Sequence, residues 1–112
     1  MREELGIISL TYDCMKYLIP VASKFPRNQR YLLGERIENH LCDILENLLE
    51  AKYTKAKKPL LYKANLMLEK MRYFVRLSHD LELIDVRRYG YISDQLNQIG
   101  VQLGGWIKQL PQ

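Results

Sequence analysis

The chain has 112 residues, 47% of them apolar and 27% charged, with a net charge of +4. That length supports one hydrophobic core, and that apolar content excludes a disordered polymer. No apolar run approaches the roughly 18 residues of a membrane span, and Met1-Arg2-Glu3-Glu4 opens no signal-peptide pattern, so a cytoplasmic protein is expected.

The first predicted helix covers about 3–23. Ile7, Leu10, Cys14, Tyr17 and Val21 recur at spacings of 3 and 4, with Ile8, Met15 and Leu18 widening the stripe. Pro20 lies inside this pattern and should kink the helix or start its last turn. Lys24-Phe25-Pro26-Arg27-Asn28 reads as a turn. The second helix, about 28–53, has its seam at Leu33, Ile37, Leu41, Ile44, Leu48 and Ala51, with Glu46 and Glu50 on the polar side. Cys14 and Cys42 fall at core-type positions, which predicts buried thiols; a disulfide or half of a metal site are the alternatives.

After the loop Thr54-Lys55-Ala56-Lys57-Lys58, Pro59 suits a first helical position. The third helix, about 59–86, shows Leu60, Ala64, Met67, Met71, Phe74, Ser78 and Leu81 at helical spacing. A second row at Leu61, Leu68 and Val75 exceeds what one bundle needs, so it is expected to meet a partner. The fourth helix, about 88–110, carries Tyr89, Ile92, Leu96, Ile99, Leu103, Trp106 and Leu110 straight through Gly100, Gly104 and Gly105. Each glycine costs a helix roughly 1 kcal/mol relative to alanine. Gly100 and Gly104 share a face, with Gly105 beside them. They are read as a close-packing surface within the bundle or between subunits, with Gly34 as a candidate opposite number and Trp106 anchoring the core. The competing reading is that Gly104-Gly105 frays the helix end. Four amphipathic helices with short connections define one all-α domain over 1–112, an antiparallel up-down four-helix bundle.

Nothing in this pattern suggests catalysis. A di-metal bundle needs Glu-x-x-His, but Ile37 precedes His40 by three and Arg76 precedes His79 by three. His79 beside Asp80 reads as a surface contact before a proton-transfer pair. The glycines do not form G-x-G-x-x-G, and there is no phosphate-binding P-loop. No metal, cofactor or catalytic residue is assigned.

Charge is the more informative feature. Residues 1–51 carry six basic and eight acidic side chains, residues 52–76 eight and one, and residues 77–112 three and four. Lys52, Lys55, Lys57, Lys58, Lys63, Lys70, Arg72 and Arg76, joined by Arg87 and Arg88, are therefore the candidate polyanion contacts. The alternative is a lysine-rich turn that only keeps the protein soluble. Tyr12, Tyr31, Tyr53, Tyr62, Tyr73 and Tyr91 fall off or beside the seams. They are either bundle-margin residues or stacking partners for nucleic acid.

Two stretches carry a family likeness: KFPRNQRYLLGERIENHLCDILENLLEAKY (24–53) and LEKMRYFVRLSHDLELIDVRRYGYISDQLNQIGVQLGGWIK (68–108). Together they resemble Avd, the accessory variability protein of diversity-generating retroelements. That group belongs to a broader one including the four-helix proteins encoded in 23S rRNA intervening sequences. Phe25, Pro26, Arg30, Tyr31, Leu33 and Gly34 match the motif shared by the broader family. Gly100, Leu103, Gly104, Gly105, Trp106 and Ile107 match the closing motif of the retroelement branch. The resemblance implies a non-catalytic bundle assembling as a homopentameric barrel. It also implies association with the element's reverse transcriptase and with RNA, and potentially DNA, in support of mutagenic retrohoming. Five copies would carry +20, enough to bind polyanions by counterion release. The alternatives are an rRNA-linked role for the same fold and a purely structural interaction module.

Overall fold

The computed structural model describes residues 2–111, with side chains over 6–111. Helix α1 spans Arg2–Ser23. A single turn, α2 (Arg27–Gln29), passes through a π-helical turn (Arg30–Gly34) into α3 (Glu35–Tyr53). Helix α4 spans Lys57–Asp80 and α5 spans Val86–Gln109. No strand occurs among the described residues. Each long helix packs on the next, and α1 closes the ring against α5, in a body of 44 × 23 × 20 Å.

Two of the four seams fall where periodicity puts them. In α3, Ile37, Leu41, Ile44, Leu48 and Ala51 are buried; in α5, Ile92, Leu96, Ile99, Leu103 and Trp106 are. These helices have one dominant apolar row, so only one face can enter the core. In α1 the buried row is Ile7, Thr11, Cys14, Leu18 and Ala22, while Leu10, Tyr17 and Val21 lie at the margin. Thr11 is tolerated there because its Oγ1 donates to the Ile7 carbonyl at 2.8 Å.

Helix α4 corrects the sequence reading more sharply. Its buried row is Leu61, Ala64, Leu68, Met71, Val75 and Ser78. The second row, Leu61, Leu68 and Val75, is therefore core and not a spare face for a partner. Leu60, Met67 and Phe74 are partly buried beside it, and Leu81 is 50% exposed. Burial of Ser78 is matched by donation from its Oγ to the Phe74 carbonyl at 2.8 Å. The helix also ends at Asp80, not near 86. Glu82 turns the chain with φ 62°, the left-handed conformation that usually favours glycine. Its N–H donates to His79 O at 2.9 Å, and that of Leu83 to Ser78 O at 2.8 Å. This is the paired hydrogen bonding of a Schellman cap. At the other end, α4 begins at Lys57, so Pro59 sits inside the first turn, where no amide has an intrahelical partner.

The glycines divide into distinct cases. Gly34, in the π-turn, is buried, and a Cβ there would lie 3.1 Å from the Ala22 backbone oxygen. It lets the π-helical turn close onto the end of α1, over buried Phe25 and Leu33. Its opposite number is thus Ala22, not the α5 glycines. A Cβ on Gly100 would lie 2.8 Å from Arg72 Nη2 and 3.4 Å from Leu68 Cδ2. Around Gly104 nothing among the described residues lies within 4 Å of such a Cβ, so no close contact forms there among them. Helix α5 nevertheless continues through Gly104 and Gly105 to Gln109, so they do not fray it. Trp106, 3% exposed, sits in the core below them.

Candidate nucleic-acid interface

The α3–α4 connection brings Lys52, Lys55, Lys57 and Lys58 to one end of the bundle. They are not equivalent. The Lys57 ammonium donates to Ala51 O at 2.6 Å and to Lys52 O at 3.4 Å. It caps the carbonyl end of α3, where a cation is favoured by the unsatisfied acceptors and the helix dipole. Lys57 is thereby committed to the fold. Lys52 is half-buried, with its Nζ 5.3 Å from the Tyr53 ring centroid. Lys55 and Lys58 are exposed and make no ion pair among the described residues.

Along α4 the charges divide again. Arg72 pairs with Glu69 at 3.2 Å and donates to Asn97 Oδ1 on α5. Arg76 lies 4.0 Å from Asp80. These two pairs engage the acidic side chains of α4 and leave Lys63 and Lys70 exposed, with no ion pair among the described residues. Arg87 and Arg88 lie at the other end of the bundle. Twenty-four residues of α4 separate the two ends, about 36 Å at 1.5 Å per residue. The candidate cations therefore form a lysine cluster at one end, a flank on α4 and an arginine pair at the far end, not one patch.

The far end also holds basic residues from outside the lysine-rich segment. Arg30 Nη1 donates to Ser23 O at 3.5 Å, and Arg36 lines an apolar groove with Leu32, Leu33, Phe74, Leu77 and Leu81. Their carboxylate neighbours in the chain hid them from a count by segment; only the helical return of α4 places Arg36 beside Leu77. Arg87 and Arg88 border a 440 Å³ cleft with Tyr17, Asp85 and Tyr91. The Asp85 carboxylate caps α5, accepting from Arg88 N at 2.8 Å.

Tyr12, Tyr31, Tyr53, Tyr62, Tyr73 and Tyr91 are all exposed. His79 stacks on Tyr89, with ring centroids 4.6 Å apart, while Asp80 turns to Arg76; the two neighbours form no proton-transfer pair. His40 Nδ1 lies 2.8 Å from Arg36 O. Both cysteines are free. Burial pushes the Cys14 thiol up to about 12. Cys42 is half-buried, and its pKa is also raised, first by burial and then by Glu46, Asp43 and Glu38. No group of three His, Cys, Asp or Glu among the described residues is arranged to hold a metal ion, and no helix among them is long and apolar enough to cross a membrane.

These features define a helical-bundle protein whose surface carries exposed tyrosines and a set of cations without ion pairs among the described residues. The chain matches the bAvd-like family over residues 7–110 and belongs to that family. Among solved structures it is similar to a protein of unknown function from the S23 ribosomal protein family of Bacteroides thetaiotaomicron VPI-5482. The TM-score is 0.87 at 16% identity, covering 96% of this chain and 99% of that one. At that identity the likeness establishes the shared fold. No curated protein sequence matches the chain significantly.

Proposed function

We propose that this chain is a non-catalytic accessory subunit of a diversity-generating retroelement, binding the element's reverse transcriptase and its RNA or DNA as a homopentamer. Membership of the bAvd-like family carries the reading. The surface supports it: Lys55, Lys58, Lys63 and Lys70 are exposed and free of ion pairs among the described residues. Cations of this kind bind phosphates through counterion release, with little sequence preference. Sequence choice then falls to the polymerase or to RNA structure. Apolar surface for subunit contact is also present, although not where the sequence placed it. Leu32 is 71% exposed beside Leu77 and Leu81, while Leu61, Leu68 and Val75 are consumed by the core.

Three measurements test this. Converting Lys55, Lys58, Lys63 and Lys70 to Gln should weaken RNA and DNA binding alike and flatten the salt dependence. Binding unchanged across salt would reduce these lysines to a solubility device. Light scattering should give five copies of the 13.3 kDa chain, about 66 kDa; a monomer at micromolar concentration refutes the assembly. The reverse transcriptase should co-purify with the wild-type chain. The S23-family fold neighbour favours a second reading, an rRNA-linked role. A gene neighbourhood holding a reverse transcriptase and a template/variable repeat pair decides between them.

A further inference from the structure

We infer that the cleft between the end of α1 and the start of α5 is a nucleotide-binding subsite. Tyr17 and Tyr91 supply its aromatic wall, and Arg87 and Arg88 receive the phosphate. The cleft has a volume of 440 Å³, room for one nucleotide and its hydration. The two rings meet edge-on, with centroids 4.6 Å apart. Gln95 Nε2 lies 3.5 Å from the Tyr91 hydroxyl, one turn further along α5. Tyr91 remains 50% exposed, so a base can reach it.

The charges point to the same ligand. Neither Arg87 nor Arg88 forms an ion pair among the described residues. Among the described residues Asp85 is the one carboxylate lining the cleft, and its Oδ1 is engaged by the Arg88 backbone amide. The lining is thus two guanidiniums against one capped carboxylate. A planar π-face next to paired guanidiniums suits a ligand with an aromatic ring and a phosphate. Duplex nucleic acid keeps its bases stacked and offers only phosphate here. A single strand, or a free nucleotide, offers both.

For the polymer source this inference rests on the nucleic-acid reading above, and the experiment separates the two. Wild type, Tyr91→Leu, Arg87→Gln/Arg88→Gln and, for comparison, Lys55→Gln/Lys58→Gln are titrated with an unstructured RNA strand and with duplex RNA. Far-ultraviolet circular dichroism and melting verify the fold. In parallel, NMR follows the tyrosine ring signals as adenosine monophosphate is added. Tyr91→Leu should lower single-strand affinity about tenfold while leaving duplex affinity and the salt slope unchanged. The arginine double variant should abolish the nucleotide-induced shifts at Tyr17 and Tyr91. The lysine variant should weaken both RNAs and leave those shifts intact. Ring shifts with nucleotide but wild-type RNA affinity in both cleft variants would identify the free nucleotide as the occupant. If RNA binds, both cleft variants match wild type and no ring shifts occur, the subsite is refuted and the lysine reading stands. If nucleotide shifts the rings but no RNA binds, the cleft stands and the polymer reading is refuted. If neither binds, both are refuted.

Discussion

Alanine at Gly34 and at Gly104 should move stability in opposite directions, although both residues sit in helical backbone. Replacing a helical glycine gains up to about 1 kcal/mol, because alanine loses less backbone entropy on folding. At Gly104 nothing among the described residues beyond its own helix opposes that gain, since no such heavy atom lies within 4 Å of the new Cβ. A gain near 1 kcal/mol raises the melting temperature of a domain of this size by roughly 4 °C. At Gly34 the new Cβ meets the Ala22 carbonyl oxygen at 3.1 Å, with Arg30 Cγ at 3.6 Å and Phe25 Cδ2 at 3.7 Å. That oxygen is backbone and already accepts from Phe25 N at 3.1 Å, so it cannot swing away as a side-chain tip can. Overpacking of this kind costs about 1–3 kcal/mol. Offset by the helical gain, the net is a loss of roughly 1 kcal/mol. Gly100→Ala falls between them: its nearest neighbour is the mobile end of Arg72, which can move off at the expense of its bond to Asn97. Thermal denaturation of the three variants, with light scattering to follow mass, measures the order Gly104 > Gly100 > Gly34. A Gly34→Ala protein melting at or above Gly104→Ala refutes the argument. Gly104→Ala that loses stability together with mass would instead place Gly104 in a subunit contact.

Three further expectations concern other parts of the fold. Glu82→Gly should stabilise by about 0.5–1 kcal/mol, because a left-handed backbone costs an L-residue roughly 1–2 kcal/mol and glycine returns part of that as entropy; a melt no higher than that of Glu82→Ala rejects it. Lys57→Met should cost about 1–2 kcal/mol through the lost α3 cap, whereas Lys55→Met should be near neutral, and chemical denaturation compares them. The Cys14 thiol, with its pKa near 12 when folded against 9.0 for the free group, should resist thiol reagents until the protein opens, and Cys42 should react first. The raised folded pKa gives stability that is fully present below pH 9 and lost as pH rises toward 12; a Cys14→Ala denaturation series lacking that component checks the sign.

Four amphipathic helices and the buried rows of α3 and α5 follow from residue spacing alone, because a single apolar stripe on a helix leaves the chain one way to hide it. Spacing could not choose between adjacent rows in α1 and α4. There Leu60, Met67 and Phe74 compete with Leu61, Leu68 and Val75, and period alone gives both rows the same score. Contact with α3 and α5 broke the tie by turning the second row inward. The end of α4 escaped for a related reason: Glu82 is not a residue that announces a left-handed cap, and only its backbone angle and the hydrogen bonds of Glu82 N and Leu83 N reveal one. The candidate interface was legible as composition, not as arrangement. The excess of lysine and arginine after Lys52 could be counted, but charge carries no record of its partners. Tertiary structure assigned Lys57 to the carbonyls of α3, Arg72 and Arg76 to carboxylates, and Arg87 and Arg88 to a cleft with Tyr17. That last grouping joins residues some seventy positions apart, which the antiparallel return of α5 along α1 alone makes neighbours.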